Sequence, residues 1–129
     1  MGLEVLVVDD SLAIRKALQR VLCCSRMSIS VVHEAENGEE ALKLLPSHKI
    51  SLILVDIRMD GMDGLTLLKR LKNSPDWATI PVVMITAEAG EGEVDAALKL
   101  GAADYVRKPF LKQELEERLA RILQSTRRP

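Results

Sequence analysis

Ile50-Ser51-Leu52-Ile53-Leu54-Val55-Asp56 is an apolar run of strand length that ends in a carboxylate. A continuous apolar run, rather than strict alternation, marks a strand covered on both faces, as in a parallel sheet. An acid inside such a sheet would carry a heavy desolvation cost. At the C-terminal end of the strand it lies where open α/β sheets place their ligands. Leu3-Glu4-Val5-Leu6-Val7-Val8 repeats the pattern and runs into Asp9-Asp10. If these strands are parallel neighbours, three carboxylates meet at one edge.

Outward from these two stretches, the chain alternates strand and helix. Ser11 can cap a first helix in which Ile14, Leu18, Val21 and Leu22 share a face, with Arg15, Lys16, Gln19 and Arg20 mostly opposite. A second strand spans Ser30 to Ala35. Asn37-Gly38 is a turn signal, and a short helix follows from Glu39 to Leu45 with Ala41, Leu44 and Leu45 inward, ended by Pro46. After Asp56 comes a loop, then a helix capped by Asp63, with Leu65, Leu68 and Leu71 at helical spacing. The fourth strand is Ile80 to Thr86, with Pro81 near its start. A helix from Glu93 to Leu100 turns Val94, Ala97 and Leu98 inward and stops at Gly101. Asp104-Tyr105-Val106 forms the fifth strand. The last helix, about Leu111 to Gln124, carries Leu115, Leu119 and Ile122 on its core face. Five strand–helix units with right-handed crossovers predict a doubly wound α/β fold: a five-stranded parallel sheet with five helices on its two faces. The expectation is a single domain over residues 1–129, with its core at about 3–124. Spacing alone does not give the strand order.

The chain is 47% hydrophobic and 29% charged, which suits a packed core. A formal net charge of −1 gives no general attraction to nucleic acid or to a membrane surface. The aromatic residues are Trp77, Tyr105 and Phe110, so no stacking platform for bases is available. No apolar run approaches the ~18 residues that span a bilayer. The cysteines, Cys23 and Cys24, are adjacent and read as reduced, partly buried thiols, in keeping with a cytoplasmic protein.

In a parallel sheet all strand ends open on one edge, which here collects Asp9, Asp10, Asp56, Thr86 and Lys108. Each alone has an ordinary reading: a helix cap, a loop acid, a strand-end hydroxyl, a solvated lysine. Together they describe a phosphoryl-transfer site. The three acids repel one another and call for a hard divalent cation with oxygen ligands, Mg²⁺ (or Mn²⁺). Lys108 and the Thr86 hydroxyl would hold phosphoryl oxygens, and Asp56 would be the attacking carboxylate, giving an aspartyl phosphate.

Asp9-Asp10, Val55-Asp56, Met62-Asp63-Gly64, Ile85-Thr86-Ala87, Gly101-Ala102-Ala103-Asp104-Tyr105 and Lys108-Pro109-Phe110 resemble the motifs of response-regulator receiver domains, chemotaxis regulators among them. The resemblance covers about residues 3–124. It implies the flavodoxin-like strand order 2-1-3-4-5, a property of that family. It also implies that Asp56 is the phosphoacceptor, that Asp10 binds the metal directly and Asp9 largely through water, and that the backbone carbonyl of Arg58 is a further ligand. Thr86 and Lys108 would contact the phosphoryl group, with Lys108-Pro109 joined by a cis peptide. The donor would be a histidine kinase or phosphotransfer protein. Thr86 would move inward on phosphorylation and Tyr105 would follow. That changes the surface of the fourth helix, fifth strand and fifth helix for a downstream protein or an output domain. One departure stands out: Asp60 occupies a position where the family commonly has proline.

Three further expectations come from the residues. Arg58 and Glu88, each two residues past a site residue, overhang the site and would pair across it, slowing loss of the phosphoryl group. His33 and His48 read as isolated, structural or exposed residues rather than ligands. A phosphatase of the haloacid-dehalogenase type would need an acid two residues after the nucleophile, where Arg58 stands. The chain is therefore read as a switch and not as an enzyme, with transfer to itself and autodephosphorylation as its only chemistry. An interaction module that never becomes phosphorylated is the other alternative.

Overall fold

The computed structural model describes residues 2–23, 27–59, 61–87 and 91–127. Strands β1 (Leu3–Val8), β2 (Ile29–Ala35), β3 (Leu52–Val55), β4 (Val82–Thr86) and β5 (Asp104–Arg107) form one parallel sheet in the order β2-β1-β3-β4-β5. Helices α1 (Leu12–Cys23), α2 (Gly38–Leu44), α3 (Gly64–Lys72), α4 (Glu91–Lys99) and α5 (Lys112–Arg127) follow the strands in turn. This is the flavodoxin-like order.

Period-two alternation along the strands divides the core into two layers. Leu6, Val8, Ile53, Val55, Val82 and Met84 pack with Ala41, Leu67, Leu68, Leu71 and Ala97, so α2, α3 and α4 cover that face. Val5, Val7, Leu52, Leu54, Val83, Ile85 and Val106 pack with Leu18, Leu22, Leu115 and Leu119, so α1 and α5 cover the other. Every residue of β3 is buried, which is why its sequence is continuously apolar. Each fully buried Leu or Ile side chain contributes about 1.5–3 kcal/mol.

The elements differ from the sequence reading in physically instructive places. β3 begins at Leu52 rather than Ile50, and β4 at Val82 rather than Ile80. The Pro81 carbonyl still accepts from Ile53 N–H at 3.0 Å, the ladder role that survives the loss of an N–H. Pro46 does not stop the second helix outright: it sits inside a 3-10 turn, Leu45–Ser47, that extends it. In α3 the buried set is Leu67, Leu68 and Leu71, with Leu65 half-buried. In α5 Leu123 is buried and Ile122 only partly so. Leu98 is exposed, not inward, because the covered positions run through Val94 and Ala97 of α4 to Leu100 just past it. Cys23 is exposed at the end of α1, not partly buried, and Cys24 lies outside the described residues. Among the described residues no helix is long and apolar enough to cross a membrane.

Candidate functional site at the sheet edge

Asp9 and Asp10 follow β1, Asp56 follows β3, Thr86 ends β4 and Lys108 follows β5. With β1, β3, β4 and β5 adjacent and parallel, these residues reach one edge of the sheet. Main-chain bonds fix their heights. Asp9 N–H donates to Ala35 O at 3.1 Å, Asp56 N–H to Val8 O at 3.0 Å, and Lys108 N–H to Thr86 O at 2.8 Å. The strand ladders thus continue one residue past the strands and hold the polar residues in register. The Lys108–Pro109 peptide is cis.

Lys108 Nζ is the centre of the site. It donates to Asp9 Oδ2 at 2.8 Å and to Asp56 Oδ2 at 3.1 Å. Asp9 is 1% exposed and Asp56 8%, so neither charge is well hydrated. Burial pushes the Asp56 carboxyl above its usual range, the nearby Asp9 charge pushes the same way, and the Lys108 ammonium opposes both without cancelling them. For Lys108, burial alone favours the neutral amine. The hydrogen bond to Asp9 and the charges of Asp56 and Asp9 outweigh it, and the ammonium is held above its usual value.

The remaining oxygens are also engaged. Asp9 Oδ1 accepts from Ser11 N–H at 2.9 Å, while Ser11 Oγ caps α1 by accepting from Ile14 N–H at 3.3 Å. Asp56 Oδ1 accepts from Arg58 N–H at 3.3 Å. Asp9, Asp10 and Asp56 each bring a carboxylate oxygen within 4.8 Å of the others. Asp9 and Asp56 are buried and Asp10 is exposed. This all-oxygen set fits a hard divalent ion that retains waters. With both Asp9 oxygens already bonded, solvent-facing Asp10 is the better placed for direct ligation. Thr86 is 1% exposed beside these groups.

Sequence reasoning misplaced one contributor and saw a second only as part of a motif. Arg15, placed on the solvent side by helical spacing, is buried. Its Nη1 donates to Asp9 O at 2.6 Å and its Nε to Glu34 Oε1 at 3.0 Å, so it holds Asp9 from behind. The only available signal was an arginine soon after Asp9-Asp10, since a long side chain can fold back along its helix. The second is Gly64, the first residue of α3 after the Asp63 cap, whose side chain accepts from Thr66 N–H at 2.8 Å. A Cβ at Gly64 would stand 2.2 Å from the carbonyl oxygen of Asp56. The loop after Asp56 thus packs directly on the start of α3, where Gly64 N–H donates to Ile57 O at 2.8 Å.

The loop residues divide. Arg58 is ion-paired to Glu93 of α4 through Nη2 and Oε1. Glu88, the expected partner, and Asp60 lie outside the described residues. Tyr105 is half-buried on the α4 side of the sheet. The Arg118 guanidinium of α5 stands 5.9 Å from the Tyr105 ring centroid, and its Nη1 bonds Asp104 Oδ1 at 2.9 Å and Tyr105 O at 3.1 Å. α5 is thereby fastened to β5.

Comparison with known proteins agrees with this fold. The family model of the response regulator receiver domain matches residues 5–120. Chemotaxis protein CheY1 of Helicobacter pylori is 39% identical over 122 residues, which cover 94% of this chain and 97% of that protein. The signal receiver domain of a signal transduction histidine kinase from Syntrophus aciditrophicus superposes with a TM-score of 0.86 at 32% identity, covering 100% of this chain and 95% of that one. A CheX-CheY-BeF3-Mg²⁺ complex from Borrelia burgdorferi includes a chain that superposes with a TM-score of 0.84 at 29% identity, covering 93% and 88%. With its acids, threonine and lysine gathered at the end of a β2-β1-β3-β4-β5 sheet, the chain belongs to the response regulator receiver domains of two-component signalling.

Proposed function

We propose that this receiver domain is a switch thrown by transfer of a phosphoryl group to Asp56. The observation that carries the reading is Lys108 Nζ bonded to both Asp9 and Asp56 at the sheet edge. An Asp56 carboxylate oxygen forms a bond to phosphorus. The donor's bond to phosphorus breaks, and its electron pair leaves with a histidine imidazole of a histidine kinase or phosphotransfer protein. Asp9, Asp10, Asp56 and the backbone carbonyl of Arg58 would hold Mg²⁺, which when bound supplies positive charge against the carboxylates and the phosphoryl oxygens. Lys108 stays charged and re-aims its ammonium from the carboxylates toward a phosphoryl oxygen. Thr86 offers its hydroxyl to another. Both bonds exist only after transfer, so they bias the end of β4 toward a second arrangement. Tyr105 on β5 takes up that change and passes it to the surface of α4, β5 and α5, where a downstream protein or output domain binds.

The same reading makes the chain a switch rather than an enzyme acting on outside substrates. Arg58 stands two residues past Asp56, where an aspartate-nucleophile phosphatase needs an acid, and it is ion-paired to Glu93. Incubation with acetyl phosphate and Mg²⁺, followed by intact-mass measurement, tests the proposal. One added phosphoryl group is expected on the native chain and none on Asp56→Asn. Labelling that persists in Asp56→Asn, or turnover of phosphomonoesters, would overturn it.

A further inference from the structure

Away from the acidic edge, one other cluster among the described residues brings ligating side chains together. Glu4 on β1, His33 on β2 and His48, just past the 3-10 turn, each place a ligand atom within 4.8 Å of the others. His33 Nε2 lies 2.9 Å from Glu4 Oε1. The imidazole centroids of His33 and His48 are 4.1 Å apart, tilted by 38°. All three residues are half-buried, so an ion in solution can reach them.

The fold itself causes the meeting. β1 and β2 pair Leu6 with His33, and Glu4 stands two residues before Leu6, so Glu4, Leu6 and His33 share a face of the sheet. Leu45 and Ile50 pack on that same face with Leu6, and His48 lies between them in the chain. Residues 29 and 44 positions apart from Glu4 therefore converge on one spot.

We infer that Glu4, His33 and His48 form a second cation site, with the chemistry of a late first-row divalent ion such as Zn²⁺. Two imidazoles and a carboxylate are a donor set that Zn²⁺ accepts, with water completing four ligands. Mg²⁺ takes oxygen ligands and belongs at the acidic edge instead. Tetrahedral zinc with metal–ligand distances of ~2.0–2.1 Å separates its ligand atoms by about 3.3–3.4 Å. The Glu4–His33 contact, at 2.9 Å, is already close to that spacing. A pair at the 4.8 Å limit would close by about 1.5 Å, which side-chain torsions supply. The ion would tie the edge strand β2 and the 3-10 turn to β1 and stabilise the fold by binding the native state alone.

The test titrates Zn²⁺ alone into the full chain by calorimetry, in saturating Mg²⁺ so that the acidic edge is already supplied. One equivalent is expected, weakened at least tenfold in His48→Ala and His33→Ala. It should be unchanged in Asp56→Asn and in a Cys23→Ser, Cys24→Ser variant. No binding, or binding lost with Asp56 or the cysteines instead, overturns the inference. If a histidine variant fails to fold, NMR of the native chain decides. It has two histidines, and both sets of ring protons should shift together over one equivalent of Zn²⁺. Rings that do not shift refute the site.

Discussion

Gly64→Ala puts the geometry around Asp56 to a test whose sign is informative. Helix propensity alone says the change stabilises: Gly is about 1 kcal/mol worse than Ala within a helix, and Gly64 begins α3. Packing says the reverse. The new methyl would lie 2.2 Å from Asp56 O and 2.9 Å from Ile57 Cα. Ordinary carbon–oxygen contact begins near ~3.3 Å, so the Asp56 carbonyl and the methyl must separate by about 1 Å. Both partners are backbone-bound, so no rotamer change relieves the clash. Overpacking of this kind costs about 1–3 kcal/mol. At ~2.1 cal/mol/K per residue for this chain length, that lowers the melting temperature by roughly 4–11 °C. The displaced group is the main chain of Asp56, the proposed phosphoacceptor, and a ~1 Å misplacement costs up to about 10²-fold in rate. Thermal unfolding, with the rate of acetyl phosphate labelling in Mg²⁺, measures both. A melting temperature equal to or above that of the native chain, with labelling unchanged, would refute the packing argument.

Four other outcomes are expected. Asp56 has its folded-state pKa raised, so the folded chain binds that proton more tightly than the unfolded chain. The stability this gives is present at pH below the ordinary carboxylate value and is lost as pH rises through the raised one. In metal-free buffer at pH 7, Asp56→Asn should therefore melt higher than the native chain, and the gap should close in acid; a variant that melts lower at pH 7 contradicts this. For the native chain, protons compete with Mg²⁺ for Asp56, so metal affinity should weaken as pH falls toward that raised value, read by titration at several pH values. Lys108→Met removes the ammonium that bonds Asp9 and Asp56; it should destabilise the metal-free chain by roughly 1–3 kcal/mol yet tighten Mg²⁺ binding, and a weaker Mg²⁺ affinity would count against Lys108 as the resident counter-charge. Arg15→Ala strips a charged donor from Asp9 O and Glu34, at a cost of about 1.5–3 kcal/mol, whereas Lys16→Ala, whose exposed ammonium bonds the same glutamate, should cost under about 1 kcal/mol; equal losses in chemical denaturation would show that the buried bond to Asp9 is not the larger one.

What could be read from the sequence follows from what the sheet makes predictable. Asp9, Asp56, Thr86 and Lys108 were legible as a group because every strand of a parallel sheet ends on the same edge, so position along the chain converts directly into position in space. Arg15 was not, because a helical wheel places its Cα while its guanidinium travels back to Asp9. Leu98 misled for a related reason: Val94, Ala97 and Leu98 suit one helix face, but the covered positions run through Val94 and Ala97 to Leu100, just past α4, and leave Leu98 exposed. Gly64 was visible only as part of a motif, since a close approach to a main-chain carbonyl leaves no periodic trace. His33 and His48 read as isolated because a helix and a 3-10 turn separate them in the chain. Their meeting depends on the β1–β2 register and on how that turn packs.

In the proposed switch, the resident ammonium also limits how a signal could travel. Three carboxylates against Lys108 leave the edge with a formal charge of −2, which one divalent cation cancels. The proposed transfer to Asp56 would then change the local charge by only about one unit. At physiological ionic strength the field of such a change is screened over about 8 Å. In the proposed switch, a partner on the α4–β5–α5 surface would therefore not be told of phosphorylation by long-range electrostatics. On that proposal the message would pass as displacement, atom against atom, along β4 and β5, through residues such as Ile85 and Val106, paired across the strands and buried in one core layer.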